Sequence, residues 1–257
     1  MIKKFVLLSI ILSSSLLALS GFSDDHIKGK STLKSLELHT CNYLPYKDHD
    51  DFMGVVDDWS AWMAENASVG YMGTVMQPVV MNEGFKHDMV WIGYAENNES
   101  MGLVNDEWLS KGGEVLALMQ RVVECDAHLF GTMLDVRLDE TALSAEDSFF
   151  MGIEACRFQD GMGEMDLIKY DNAFNSVMDE LGLKANVSRM YPGAGWPDDM
   201  EAHFFNLAYF PSMAERGKIV DSLWSGKFDG LSGISEVISC GRQSVLAGTF
   251  VGGSSAQ

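Results

Sequence analysis

His39, Trp91, Glu154 and Asn206 are the side chains whose types and spacing could do chemistry in a chain otherwise built for packing. His39 lies in Leu36-Glu-Leu-His-Thr-Cys41 and Trp91 in Met89-Val-Trp-Ile-Gly-Tyr94, two runs that read as strands. Leu36, Leu38, Val90, Ile92 and Tyr94 form their more apolar set and are expected under helices, which leaves His39 and Trp91 on the opposite face. A step of 115 residues carries His39 to Glu154 and Trp91 to Asn206. The four are therefore expected to converge on one polar and aromatic surface suited to a small organic ligand. A histidine beside a glutamate also has the groups for general acid–base work. The competing reading is that His39 and Glu154 merely satisfy one another inside a packed interface.

Other constellations carry less. Asp48-His-Asp-Asp51 offers oxygen and nitrogen ligands, but acidic residues before an apolar helical run are also what capping requires. Trp59, Trp62 and Phe174 have the spacing of a helix face, where aromatic residues belong to a core, although they could also stack on a ligand. Tyr191-Pro-Gly-Ala-Gly-Trp-Pro-Asp198 lacks the Lys and Ser/Thr of a phosphate loop; it reads as a turn-rich connection with Trp196 as a lid residue. No cofactor or metal site is indicated: the thiols show no C-x-x-C spacing.

The elements that must position these residues come in two copies. Cys41 and Cys125 recur as Cys156 and Cys240, and Trp59, Tyr94 and Val122 as Phe174, Tyr209 and Val237, all at the same offset. In the first copy a strand ending at Cys41 precedes a helix with Phe52, Val55, Val56, Trp59, Trp62 and Met63 on its apolar face. Two β-like runs follow, at 71–77 and 89–94, then helical stretches near 101–109 and 115–122 and a last strand at 127–136. The second copy repeats the order with Leu167, Tyr170, Phe174, Val177, Met178 and Leu181 on its first helix. The boundaries expected are a repeat over 33–138, a polar linker over 139–148, a second repeat over 149–251 and a flexible tail over 252–257.

The order βαββαβ is that of the split βαβ, or ferredoxin-like, unit, an α+β fold. Its sheet order, 4-1-3-2, sets the end of the first strand beside the start of the last. Repeat and topology together select Cys41–Cys125 and Cys156–Cys240 from the three possible connectivities. Closing each loop stabilises its unit by about 4 kcal/mol on the chain-entropy model, less where the reduced chain keeps structure. Two such units in tandem resemble the dimeric α/β-barrel superfamily, in which two ferredoxin-like units pack their sheets face to face. The resemblance rests on element order and duplication. It implies an internal pseudo-dimer whose barrel is completed within one chain, and a small-molecule pocket. It carries no catalytic residue onto this sequence, because members of that superfamily perform unrelated chemistries.

The compartment follows from the first twenty residues. Lys3 and Lys4, an apolar run from Phe5 to Leu12, and Ala18 and Ser20 ahead of position 21 read as a secretory signal peptide over 1–20. That run is too short and serine-rich to span a membrane, and no later segment approaches the necessary length. A periplasmic or secreted protein with disulfides is expected. The formal net charge of −19 makes nucleic acids and anionic membranes poor partners. Two classes of function remain. One is an exported small-molecule-binding protein or cofactor-free enzyme of barrel type; the other is a non-catalytic structural or protein-interaction module.

Overall fold

The computed structural model describes residues 33–143 and 148–254. The expected leader over 1–20 lies outside them, as do residues 144–147 of the expected linker. The first half runs β1 (Leu33–Tyr43), α1 (His49–Asn66), β2 (Tyr71–Val80), β3 (Met89–Ala95), α2 (Asn98–Lys111), α3 (Gly113–Met119) and β4 (Val123–Arg137). The second runs β5 (Ser148–Phe158), α4 (Glu164–Leu181), β6 (Asn186–Pro192), β7 (Phe204–Phe210), α5 (Met213–Trp224), the short β8 (Ile238–Cys240) and β9 (Ser244–Ser254). Because β9 runs to Ser254, residues 252–254 belong to the sheet rather than to a tail.

All strand pairings are antiparallel. The pairing order is β4-β1-β3-β2 in the first half and β9-β5-β7-β6 in the second, with β8 on the end of β5. The halves join at two seams, β2 on β9 and β4 on β6, so that eight strands close into a barrel within one chain. Two sheets merely stacked would each leave two ladders of unpaired N–H and C=O groups at their edges; closure pairs them all.

Closure also decides which face is apolar. Leu36, Leu38, Val90, Ile92 and Tyr94, expected under helices, point instead into the barrel, where they pack with Met133, Phe149, Met151, Leu207, Tyr209 and Leu246. The lumen of an eight-stranded barrel is just wide enough for side chains to fill, so placing the more apolar parity class of both halves there removes the most apolar surface from water. The Tyr94 and Tyr209 hydroxyls meet there at 3.3 Å. The outer face, under helices, is left for more varied side chains. It includes Trp91, which packs with Trp59 and Met63 of α1 and Met101 and Val104 of α2.

Local sequence explains how the helices are set. Asp48 caps α1: its side chain accepts the Asp51 backbone N–H at 3.1 Å, while Asp51 accepts that of Asp48 at 3.3 Å. The acidic run is thereby accounted for as a capping box. Phe52, Val56, Trp59 and Met63, one turn apart, bury the inner face of α1. Both disulfides form as the topology implied, Cys41–Cys125 and Cys156–Cys240, each between residues in register on neighbouring strands. Among the described residues no helix is long and apolar enough to cross a membrane.

Candidate functional site

A row of three rings crosses the outer face of the first half. On β1, His39 stands opposite Trp91 of β3 on one side and His128 of β4 on the other. The His39 and His128 rings stack, with centroids 4.0 Å apart and planes at 18°. Glu37, two residues before His39 and so on the same face, completes the cluster. Its Oε2 lies 2.8 Å from His128 Nε2 and 3.9 Å from His39 Nε2.

The carboxylate is held from two further directions. The Tyr71 hydroxyl donates to Glu37 Oε1 at 2.6 Å, and Trp91 Nε1 donates to the Tyr71 oxygen at 3.0 Å. Asn105 Nδ2, from α2, donates to Glu37 Oε2 at 3.2 Å. Tyr71 reaches this position because the residue beside Glu37 on β3 is Gly93. A Cβ there would stand 1.8 Å from the Tyr71 hydroxyl oxygen.

Burial by itself would raise the pKa of Glu37, but the hydrogen bonds from His128 and Tyr71 and the nearby imidazoles outweigh it, and the carboxyl lies below its ordinary value. Burial pulls His39 down to about 4, with Glu37 opposing the shift and His128 adding to it. The Tyr71 phenol is pushed well above its ordinary value by burial, then by Glu37. At neutral pH the cluster therefore holds a carboxylate, an uncharged His39 imidazole and a protonated phenol.

Above this floor lies a cavity of about 900 Å³, roofed by α1, α2 and α3. Its walls are largely aromatic and apolar: Phe52, Trp59, Trp62, Trp108, Met119 and Phe130. Trp62 and Trp108 meet edge to face at 5.0 Å between α1 and α2, and Trp59 meets Trp91 in the same way at 4.7 Å. Leu109 and Leu116, both exposed, stand at the rim. The arrangement is an apolar pocket with a few convergent polar groups at one end, the usual anatomy of a small-molecule site.

Among the described residues the second half has no such floor. The strand positions matching Glu37, His39 and His128 hold Gly152, Glu154 and Gln243. Gln243 donates to Glu154 at 3.1 Å and accepts from Arg216 Nε at 2.7 Å, so its side chain is locked across the sheet. A Cβ on Gly152 would come within 2.5 Å of its carboxamide. Burial raises the Glu154 carboxyl, opposed by Arg216 and Gln243.

The four residues expected to converge thus separate into two pairs. His39 and Trp91 line the cavity of the first half, whereas Glu154 and Asn206 face each other in register on the second. Asn206 Nδ2 reaches the Cys156 sulfur at 3.4 Å. The reason is the inverted parity: the class that faces outward lies beneath each half's own helices, with the barrel between the two pairs. Trp59 and Trp62 serve both as packing and as cavity wall, while Phe174 stacks on Phe228 in the second half's core. Trp196 packs on Phe205 at the end of the barrel interior and donates to the Phe130 carbonyl, covering the lumen rather than the cavity.

Glu37, His128, Tyr71 and Asn105 are the site residues that the strand pattern did not single out. The signal for His128 lay in the disulfide. If Cys41 and Cys125 are adjacent on antiparallel strands, residues shortly before the first face residues shortly after the second. The bulge between Thr40 and Cys41 shifts the partner of His39 to position 128. Glu37 shares the parity of His39, whereas Asn105 arrives through helix packing and leaves no sequence signal.

No protein-family model and no curated protein matches the sequence. Solved structures do match the fold. A candidate chlorite dismutase superposes with a TM-score of 0.52 at 12% identity, over 86% of this chain and 95% of that one. A mutant chlorite dismutase from Candidatus Nitrospira defluvii gives 0.50 at 8% identity, over 88% and 95%. A candidate monooxygenase from Lactobacillus acidophilus NCFM gives 0.50 at 7%, over 88% and 97%. At the level of fold, the chain resembles the dimeric α/β-barrel superfamily.

Proposed function

We propose that this chain is an exported small-molecule protein of dimeric α/β-barrel type, built as a tandem ferredoxin-like duplication whose first half holds the ligand. The ligand site is the cavity between α1, α2, α3 and the outer face of the sheet. It accommodates a largely apolar, aromatic organic molecule with its polar end toward Glu37, His39 and His128. One observation carries this reading: a pocket of about 900 Å³ whose only convergent polar cluster, among the described lining residues, is a buried carboxylate with two imidazoles. Packing alone does not call for such a cluster, and the second half fills the matching positions with a Gln–Glu–Arg network. His39 and Trp91 belong to the site; Glu154 and Asn206 do not. The Tyr94–Tyr209 contact between residues 115 apart supports the duplication, because equivalent residues meet at a two-fold axis. Export is supported by the two disulfides, which belong to an oxidising compartment.

The same floor supplies acid–base groups. The uncharged, buried His39 is available as a base, and the Glu37 carboxylate, 3.9 Å from its Nε2, opposes the burial that disfavours a proton there. Native mass spectrometry of protein purified from its own host tests the assignment. The wild-type chain is expected to carry an organic adduct whose retention Met119→Trp, which adds bulk to the cavity wall, diminishes. An adduct retained undiminished in that variant places the ligand elsewhere and overturns the reading.

A further inference from the structure

We infer that Glu37, His39 and His128 form a binding site for one divalent transition-metal ion of the zinc or iron(II) class, with its open coordination positions turned into the cavity. The inference rests on that cavity being the functional site.

Geometry is the first ground. One ligand atom from each of the three residues falls within 4.8 Å of the other two. Ligands at about 2.0–2.1 Å from a tetrahedral ion stand roughly 3.3 Å apart. Glu37 Oε2 and His128 Nε2 are 2.8 Å apart and His39 Nε2 lies 3.9 Å from the same oxygen, so both separations fall within roughly 0.6 Å of that spacing. His39 and His128 are register partners on hydrogen-bonded strands, so the backbone that presents them is rigid.

The surroundings are those of a metal ligand set. A ligating carboxylate is ordinarily fixed by hydrogen bonds of its own, and Glu37 receives them from Tyr71 and Asn105, with Trp91 fixing Tyr71 in turn. Two imidazoles and one carboxylate leave positions open for water or substrate, the donor set of catalytic zinc and non-haem iron(II) rather than of calcium or magnesium.

Charge is the third ground. Of the buried carboxylates, Asp135 meets Lys34 at 2.8 Å and Asp171 meets Arg189. Among the described residues Glu37 alone of these carboxylates has no lysine or arginine: its nearest basic groups are the imidazoles of His39 and His128. A buried carboxylate without a matching cation is costly, and a divalent ion supplies the missing positive charge. Among the described residues the second half offers Glu154 near Cys156 and Cys240, but those sulfurs are joined as a disulfide, so one ion per chain is expected.

The experiment titrates Co²⁺ into the chelator-treated mature chain with both disulfides intact, reading visible absorption and calorimetry with no organic ligand present. One Co²⁺ per chain is expected, with ligand-field bands of a nitrogen- and oxygen-coordinated ion and displacement by Zn²⁺. His39→Ala and His128→Ala should each weaken binding by at least the roughly 10–100-fold that loss of a mere outer-shell partner costs. Tyr71→Phe, which keeps all three ligands, should weaken it less, and Glu154→Gln should leave it unchanged. Circular dichroism of each variant separates lost binding from lost fold, and the wild-type stoichiometry stands whatever the variants do. No saturable binding by the wild type, or binding that folded His39→Ala and His128→Ala retain, overturns the metal site. Organic adduct retention by the metal-free protein is read separately, so the cavity assignment survives or fails on its own.

Discussion

The hydroxyl of Tyr71 reaches Glu37 only because Gly93 leaves room for it, which makes one missing methyl group a control point for the site. Gly93→Ala forces the phenol away from the carboxylate. Overpacking of this kind destabilises by roughly 1–3 kcal/mol, and here it should also abolish retention of the cavity ligand. Urea unfolding and native mass spectrometry on the same variant check both parts; ligand retention at wild-type level would mean that Tyr71 does not organise the floor. At this scale the sequence was partly legible. His39 and Trp91 were visible as polar or aromatic residues out of place in apolar strands, and both line the cavity. Glu37 was not, because an acidic residue in an alternating strand reads as solvent-facing. It is instead buried beneath α2 with Asn105 against it. Trp91 is also more deeply packed than strand parity suggested, lying against Trp59.

The elements were more legible than the residues, because periodicity and cysteine spacing act over many positions at once. The helix face of Phe52, Trp59 and Met63 and the pairing of Cys41 with Cys125 follow from patterns that a single substitution does not erase. What the pattern could not supply was the direction each strand faces. Alternation distinguishes two faces but does not name the one that closes a barrel, and the lumen took the side chains expected under the helices. The two disulfides span equal separations of 84 residues and so should stabilise alike, by about 4 kcal/mol each on the chain-entropy model. They differ in position. Cys41 and Cys125 line the cavity, while Cys156 and Cys240 lie in the other half. Replacing each pair by serine should lower the urea midpoint similarly, but only the first replacement should weaken ligand retention. Equal weakening by both would show that retention follows global stability rather than the local wall.

At the scale of the whole molecule, the halves are bound at two strand seams and through a shared interior where Tyr94 and Tyr209 touch. Burial raises the Tyr94 phenol from 10.0 to about 12, and burial followed by Tyr94 itself raises Tyr209 well above its ordinary value. Since both folded pKa values exceed the unfolded one, the folded chain holds protons that the unfolded chain releases. Stability is therefore undiminished below pH 10.0 and falls as pH rises toward about 12. Melting temperatures across that window should drop, and less steeply in Tyr94→Phe. An identical slope in the variant would place the alkaline transition in other groups.

The proposed function depends on the cavity between the helices and the outer sheet face, and not the barrel lumen, being the place where a ligand sits. The most direct test is a crystal structure of the protein purified from its own host with its ligand retained. Ligand density is predicted under α1, α2 and α3, with polar atoms within hydrogen-bond distance of Glu37, His39 or His128. Density lodged instead among Leu38, Tyr94, Phe149 and Tyr209 inside the barrel, or beside Glu154 and Asn206 in the second half, would contradict the account.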